Sequence, residues 1–239
     1  MNKISVSVLM PIYNVSKYLD SSLGGVLQQS LKNIEIICIN DGSTDDSLEI
    51  VKKYAEIDSR IVIIDKKNAG YGQTMNKGLE IAKGEYIGIL EPDDFMDISM
   101  FQDLYNTAKK YDADVVKSNY YEYQEKNNTD KFLEVLKGLP YDCIVNPKTN
   151  HRVLHMRPCI WSSIYRREMI LANKIRFTET PGASYQDTGF AFKVWVSSQR
   201  VVFRKEAYLH YRIDNANSSV KSSGKVPPSL VVRESTAKI

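Results

Sequence analysis

Two acidic clusters, Asp41/Asp45 and Glu91/Asp93/Asp94, each follow a short apolar run rich in β-branched residues. Carboxylates that converge offer hard oxygen ligands. They suit magnesium or manganese, held by one or two carboxylates with water and diphosphate oxygens in the remaining positions, better than they suit zinc. Such a cation stabilises negative charge on a departing diphosphate. Asp41 to Asp45 also fit an Asx turn with a helix cap. The adjacent acids of Glu91-Pro92-Asp93-Asp94 repel one another unless a cation or hydrogen-bond donors relieve them.

The runs around these clusters alternate strand-like and helix-like patterns, which predicts a parallel sheet covered by helices. Val6 to Met10 reads as a buried strand ended by Pro11, and Ile34 to Ile39 as a second. The latter passes through a turn in which Thr44 or Asp45 caps a helix carrying Leu48, Val51 and Ala55. Ile61 to Ile64 and Tyr86 to Leu90 are the third and fourth strands, with a short helix at Met75 to Ala82 between them. Pro92 ends the fourth, leaving three carboxylates at the carboxyl edge, where open parallel sheets bind ligands. Leu104 to Tyr111 reads as helix and Asp114 to Tyr123 as strand. Residues 124–158 form a polar excursion. Order resumes at Trp161 to Tyr165, with helices at about Arg167 to Asn173 and Asp187 to Ser197. Two late strands follow, Val201 to Phe203 and Ala207 to Tyr211, and the tail from Ser218 is polar and aperiodic.

Other residues carry less chemistry. Gly70-Tyr71-Gly72 lacks the third glycine of a dinucleotide loop, because Met75 stands there, and so reads as a turn. His151 and His155 lack the glutamate of a zinc-protease helix. His210 can supply a third metal ligand or touch diphosphate, or serve structurally at a strand end. Trp161 can stack on an acceptor sugar or fill the core. Tyr120, Tyr121 and Tyr123 fit one half-buried strand face.

The 239 residues are enough to bury a substantial core. With 32 Lys and Arg against 29 Asp and Glu, the net charge of +3 does not point to nucleic acid and leaves only weak attraction to a membrane surface. Three widely spaced cysteines, without a CxxC pair, suggest neither a zinc site nor a disulfide scaffold and fit a reducing cytoplasm. The amino-terminal run lacks a signal-peptide cleavage pattern, and no stretch is apolar for long enough to span a bilayer.

In order along the chain stand Val6-Ser7-Val8-Leu9-Met10-Pro11-Ile12-Tyr13-Asn14, Ile39-Asn40-Asp41-Gly42-Ser43-Thr44-Asp45, Asn68-Ala69-Gly70 with Asn76-Lys77-Gly78, and Glu91-Pro92-Asp93-Asp94. This ordered set resembles the signature of family 2 glycosyltransferases. Trp161 to Arg167 and Tyr185-Gln186-Asp187-Thr188-Gly189-Phe190 resemble that family's acceptor-side segments, so the likeness covers residues 4 to about 215. The resemblance implies a GT-A fold: a Rossmann-like, mostly parallel central sheet flanked by helices, with a smaller mixed acceptor-side part. It divides the chain into residues 1–120 (nucleotide-sugar half), 121–215 (acceptor half) and a polar tail, 216–239. It implies inverting transfer from a nucleoside diphosphate sugar, UDP-linked, to a saccharide or lipid-linked saccharide, in polysaccharide or glycolipid assembly at the cytoplasmic membrane face.

By the same likeness Tyr13 stacks on the donor base, Asp41 accepts a hydrogen bond from it, and Pro11 and Asn14 shape the pocket wall. Asp93 and Asp94 serve ribose, diphosphate and a divalent cation, Mn2+ or Mg2+. Glu91 stands where the family usually has Asp. Asp187 matches the second acid of the family's Glu-Asp pair and is the expected base, while Gln186 replaces the first acid on the acceptor side. A catalytically silent nucleotide-sugar-binding partner module is the alternative. A nicotinamide oxidoreductase would require the missing glycine fingerprint. The sugar, the acceptor and the oligomeric state are not legible.

Overall fold

The computed structural model describes residues 3–182 and 185–215. The chain runs β1 (Val6–Ile12), α1 (Ser16–Leu27), β2 (Ile34–Asp41), α2 (Ser47–Ile57), β3 (Ile61–Lys66), α3 (Tyr71–Ile81), β4 (Tyr86–Ile89), β5 (Phe95–Met96), α4 (Met100–Tyr111) and β6 (Val115–Gln124). It continues through β7 (Thr129–Leu133), β8 (Ile144–Val145), β9 (Ser163–Arg166), α5 (Arg167–Ala172), α6 (Gln186–Ser197) and β10 (Val201–Arg212). Short 3-10 turns lie at Glu125–Asn127, His151–His155 and Ile160–Ser162.

The described strands form one sheet in the order β3-β2-β1-β4-β9-β6-β10-β5, with β7 beside β6 and β8 beside β10. β3, β2, β1 and β4 are all parallel, so their connections must cross over the faces, and helices supply the crossovers. Every residue of β1, β2 and β4 is buried, as strands covered on both faces require. In the second half, β9 runs antiparallel to both β4 and β6, whereas β6 and β10 run parallel. The sheet is therefore parallel where the α/β alternation was legible and mixed beyond it.

The chain steps outward from β1 to β2 and β3, then returns to place β4 on the other side of β1. The reversal opens a crevice beyond the carboxyl ends of β1 and β4, the place where α/β sheets hold ligands.

Two sequence expectations needed correction. Pro11 does not end β1, which continues to Ile12 and pairs Pro11 with Ile39 of β2. Pairing of β1 with β4 stops at Leu9 and Ile89, so on that flank Pro11 lies past the last ladder pair, where a missing N–H is tolerated. The two late strands are a single β10, whose pairing with β6 slips between Arg204 and Ala207 and again between Ala207 and Leu209. These bulges interrupt the alternation and make one strand read as two. Among the described residues no helix is long and apolar enough to cross a membrane. The polar tail from Ser218 lies outside the described residues.

Candidate active site

At the carboxyl end of β1 the chain must turn sharply into α1, and Asn14 takes a left-handed conformation (φ 52°) that asparagine tolerates well. Its Oδ1 accepts from the Thr44 N–H at 2.8 Å and the Thr44 hydroxyl at 3.3 Å, while its own N–H donates to Ser43 Oγ. Asp45 completes the seam. One carboxylate oxygen accepts from the Ser16 N–H at 3.0 Å and the other from the Ser47 N–H at 3.1 Å, so a single side chain serves the first turns of α1 and α2. Partial burial alone would raise the Asp45 carboxyl, but these donors prevail and hold it below the usual range. Tyr13, just past the end of β1, is left 51% exposed, with its ring available to a flat ligand.

Asp41 ends β2 and is buried. Oδ1 pairs with the Lys66 ammonium and accepts from the Ala69 N–H at 2.9 Å, and Oδ2 accepts from the Gly70 N–H at 3.0 Å. The acid therefore sits against the amino-terminal end of α3, where free N–H groups and the helix dipole favour negative charge. Gly70 has φ +86°, and a side chain at Gly72 would bring its Cβ within 2.1 Å of the Thr178 carbonyl oxygen. Gly70-Tyr71-Gly72, expected as a turn, instead caps and opens α3, and its glycines are required by close backbone approach to residues 178–182. The Tyr71 N–H donates to the Gly182 carbonyl at 3.1 Å, and Asn76 bonds Phe177 through both its amide nitrogen and its carbonyl oxygen. Between 68–70 and 179–182 lies an open cleft of about 350 Å³.

The third acidic group follows β4. Asp94 is buried: Oδ1 accepts from the Arg212 N–H at 2.8 Å, and Oδ2 has no partner among the described residues. Burial, then repulsion from Asp93, pushes its carboxyl well above the usual range against the pull of Arg212. Asp93 Oδ2 accepts from the Asn215 amide at 2.8 Å, and the Asn215 carbonyl oxygen accepts from the Tyr18 hydroxyl. The Arg212 guanidinium donates to the Asp93 carbonyl and lies 5.0 Å from the centres of both the Tyr18 and Tyr123 rings. Glu91 accepts from the Tyr71 hydroxyl at 2.6 Å. Burial, reinforced by Asp93 and Asp187, pushes Glu91 up to about 8 despite that bond.

Asp187 lies in the first turn of α6, half-buried, with Oδ1 accepting from the Thr188 N–H at 2.8 Å. Behind burial, its charge adds to the upward shift of both the Glu91 carboxyl and the Tyr71 hydroxyl. Gln186 is turned inward, donating to Thr180 Oγ at 2.8 Å and to the Gly182 carbonyl. It thereby fixes the 178–182 loop rather than facing an acceptor.

Two further expectations change. Trp161 is buried, stacked on Tyr211 at 5.2 Å and met edge-on by Tyr120, so it fills the core instead of offering a face to a sugar. His210 has Nδ1 bonded to Asp130 at 2.7 Å and Nε2 to Asp97 at 3.3 Å, and it lies stacked with Phe95 and Tyr121. With both nitrogens occupied it is structural, not a metal or diphosphate ligand. Sequence reading missed Lys66, Tyr71, Arg212 and Asn215. Lys66 and Tyr71 adjoin motif residues, whereas Arg212 and Asn215 touch the acidic motif only because β10 passes beside it.

A crevice at the reversal of a parallel sheet, walled by strand-end carboxylates, defines an α/β domain of the nucleotide-binding kind. The family model described as Glycosyl transferase family 2 matches residues 7–183, and the chain belongs to that family. Glycosyltransferase GlyG of Streptococcus pneumoniae is 32% identical over 87% of this chain and 70% of its own. The cholesterol galactosyltransferase of Borreliella burgdorferi is 31% identical over 100% of this chain and 69% of its own. In Bacillus subtilis, EpsJ and EpsH, both described as glycosyltransferases, are each 31% identical, and this chain spans 62% of their length. Among solved structures, Staphylococcus aureus TarS in complex with UDP-GlcNAc superposes with TM-score 0.78 at 22% identity, over 92% of this chain and 62% of that one. The Pyrobaculum calidifontis mannosyltransferase in complex with GDP-Man and Mn2+ superposes at 0.60 and 17% identity.

Proposed function

We propose that residues 1–215 form the transferase domain of an inverting glycosyltransferase that moves a sugar from a UDP-linked donor to a saccharide or lipid-linked saccharide acceptor at the cytoplasmic membrane face. The observation that carries this reading is the acidic group after β4, at the carboxyl edge where the sheet reverses: Asp94 is buried with one oxygen unpartnered among the described residues, and Glu91 accepts from the Tyr71 hydroxyl at the start of α3. The TarS complex with UDP-GlcNAc supports a uridine donor. The galactosyltransferase relative and the minor teichoic acid biosynthesis protein GgaB of Bacillus subtilis support a glycolipid or polysaccharide product.

Inversion requires a base on the acceptor side. Asp187 takes the proton of the acceptor hydroxyl while that oxygen attacks the anomeric carbon and the bond to the diphosphate breaks. Tyr13 would stack on the nucleobase of the donor, and Pro11 and Asn14 would shape the pocket wall; Asp41, expected to accept from the nucleobase, already accepts from Lys66 and from the Ala69 and Gly70 N–H groups, and so holds the start of α3.

The acidic motif fits a hard cation. Asp94 Oδ2 is a buried oxygen lacking a partner, and burial, with repulsion from Asp93 behind it, lifts Glu91 and Asp94 in a way that a nearby divalent charge would oppose. Among the described residues no three His, Cys, Asp or Glu side chains converge as a ready-made cage. Mg2+ and Mn2+ are commonly held by one or two carboxylates, with water and diphosphate oxygens completing the shell, and the Pyrobaculum calidifontis mannosyltransferase was solved with Mn2+. Asp93 and Asp94 would hold the ion, which neutralises charge on the leaving diphosphate.

The test is a panel of nucleoside diphosphate sugars incubated with the purified protein, with and without Mn2+, reading thermal protection and released nucleotide together. Cation-dependent turnover of one donor is the expected result. Protection without turnover, even with saccharide acceptors supplied, would leave a donor-binding partner module instead.

A further inference from the structure

Tyr71 stands at the start of α3, where the ends of β2 and β4 meet a loop that precedes α6. The residue before it, Gly70, gives its N–H to Asp41, and the Tyr71 N–H itself goes to the Gly182 carbonyl. Gln186, beside Asp187, donates to the same Gly182 carbonyl. The Tyr71 ring meets Phe177 edge-on at 5.9 Å, and its hydroxyl reaches across to Glu91 Oε1 at 2.6 Å. The ring contact needs no oxygen, because phenylalanine would pack there equally well. The hydroxyl is what joins α3 to Glu91 of the acidic motif.

We propose that Tyr71 is a positioning residue for the donor, matched in reach to Glu91: its hydroxyl fixes the glutamate carboxylate in the donor crevice and ties the acidic motif to the loop that leads into Asp187. The inference rests on the donor reading given above and assigns within it a role to a side chain outside the acidic motif. It also gives a physical reason for glutamate at position 91. An aspartate there, shorter by one methylene, would not reach the hydroxyl. That would leave a tyrosine oxygen without its carboxylate partner in a closely packed site, which is costly. A hydrogen bond between two partly enclosed side chains fixes direction as well as distance.

The experiment is a double-mutant cycle on the full chain with Tyr71→Phe, Glu91→Asp and both together. It reads the Kd for UDP in the presence of Mn2+ by calorimetry, the donor KM and kcat, and the melting temperature. Each single variant is expected to weaken UDP binding and raise donor KM by about 10-fold, with kcat held within about 3-fold. The double variant should match either single one, because each substitution removes the same contact. Lower melting temperatures with unchanged Kd and KM would reduce Tyr71 to a structural role and overturn the inference. Losses that multiply in the double variant to about 100-fold would overturn it as well. If the unaltered protein binds no nucleotide, the donor reading falls and the inference falls with it. Binding by the unaltered protein that the variants leave unchanged removes the inference alone.

Discussion

Asp187 and Glu91 are neighbouring carboxylates with different tasks. Asp187→Asn keeps the shape and the acceptor for the Thr188 N–H but removes the basic oxygen. Transfer should fall about 10²- to 10⁴-fold while UDP affinity stays unchanged, and steady-state kinetics with calorimetry check both halves. Full activity in that variant removes Asp187 as base. Glu91 makes a prediction in pH. Its carboxyl is held near 8 in the fold against an ordinary 4.5, so between those values the folded chain keeps a proton that the unfolded chain has released. That contribution to stability is fully present below the ordinary value and is lost as pH rises through about 8. The melting temperature of the ligand-free protein should therefore decline from pH 6 to 9 partly through Glu91, and Glu91→Gln should flatten the decline. Identical slopes would show that Glu91 ionises normally.

At the scale of elements, the ladder between β1 and β2 ends at Ile12 and Asn40, and side chains join the loops beyond it. Asp45 bonds the Ser16 and Ser47 N–H groups, and Asn14 bonds Thr44. Asp45→Ala removes one partner from the first turn of each helix and should cost about 1 to 2 kcal/mol in denaturant unfolding. Because Asp45 is depressed in the fold, its share of stability is present above the ordinary carboxylate value of 3.8 and is lost as pH falls through its folded value. The Ala variant should therefore converge on the parent in acid, and a difference that persists undiminished to pH 2 would contradict this. The cap was legible from the turn-rich run 40–45, but the partnership with Ser16 was not, since no local pattern records which loop lies opposite.

For the whole molecule, the cysteines report packing directly. All three are free: Cys38 is buried in β2, where burial pushes its thiol up to about 12, Cys143 is exposed, and Cys159 lies between these extremes. A thiol reagent at neutral pH should label Cys143 at once and Cys38 only on global unfolding, read by mass spectrometry. Cys38 labelled as fast as Cys143 would mean that the sheet opens locally. Ligand linkage offers a second measure. UDP with Mn2+ at 100 times its Kd should stabilise the chain by about 2.7 kcal/mol, provided the crevice forms only on folding.

Patterns local to ten or fifteen residues survived folding intact. The alternation of apolar runs with helical spacing foretold the parallel half of the sheet, and with it that the acids following β2 and β4 come to one edge, because a parallel strand delivers its last residues there. The second half was less legible. Bulges broke the alternation of β10, and β9 inserted antiparallel between β4 and β6, a placement set by pairing across long loops. Tertiary structure alone decided that Trp161 is core, that His210 is engaged on both nitrogens, and that Arg212 and Asn215 hold the acidic motif. Each depends on contacts between residues fifty or more positions apart, and the free energy of such contacts lies in burial and hydrogen bonding that no local window of sequence contains.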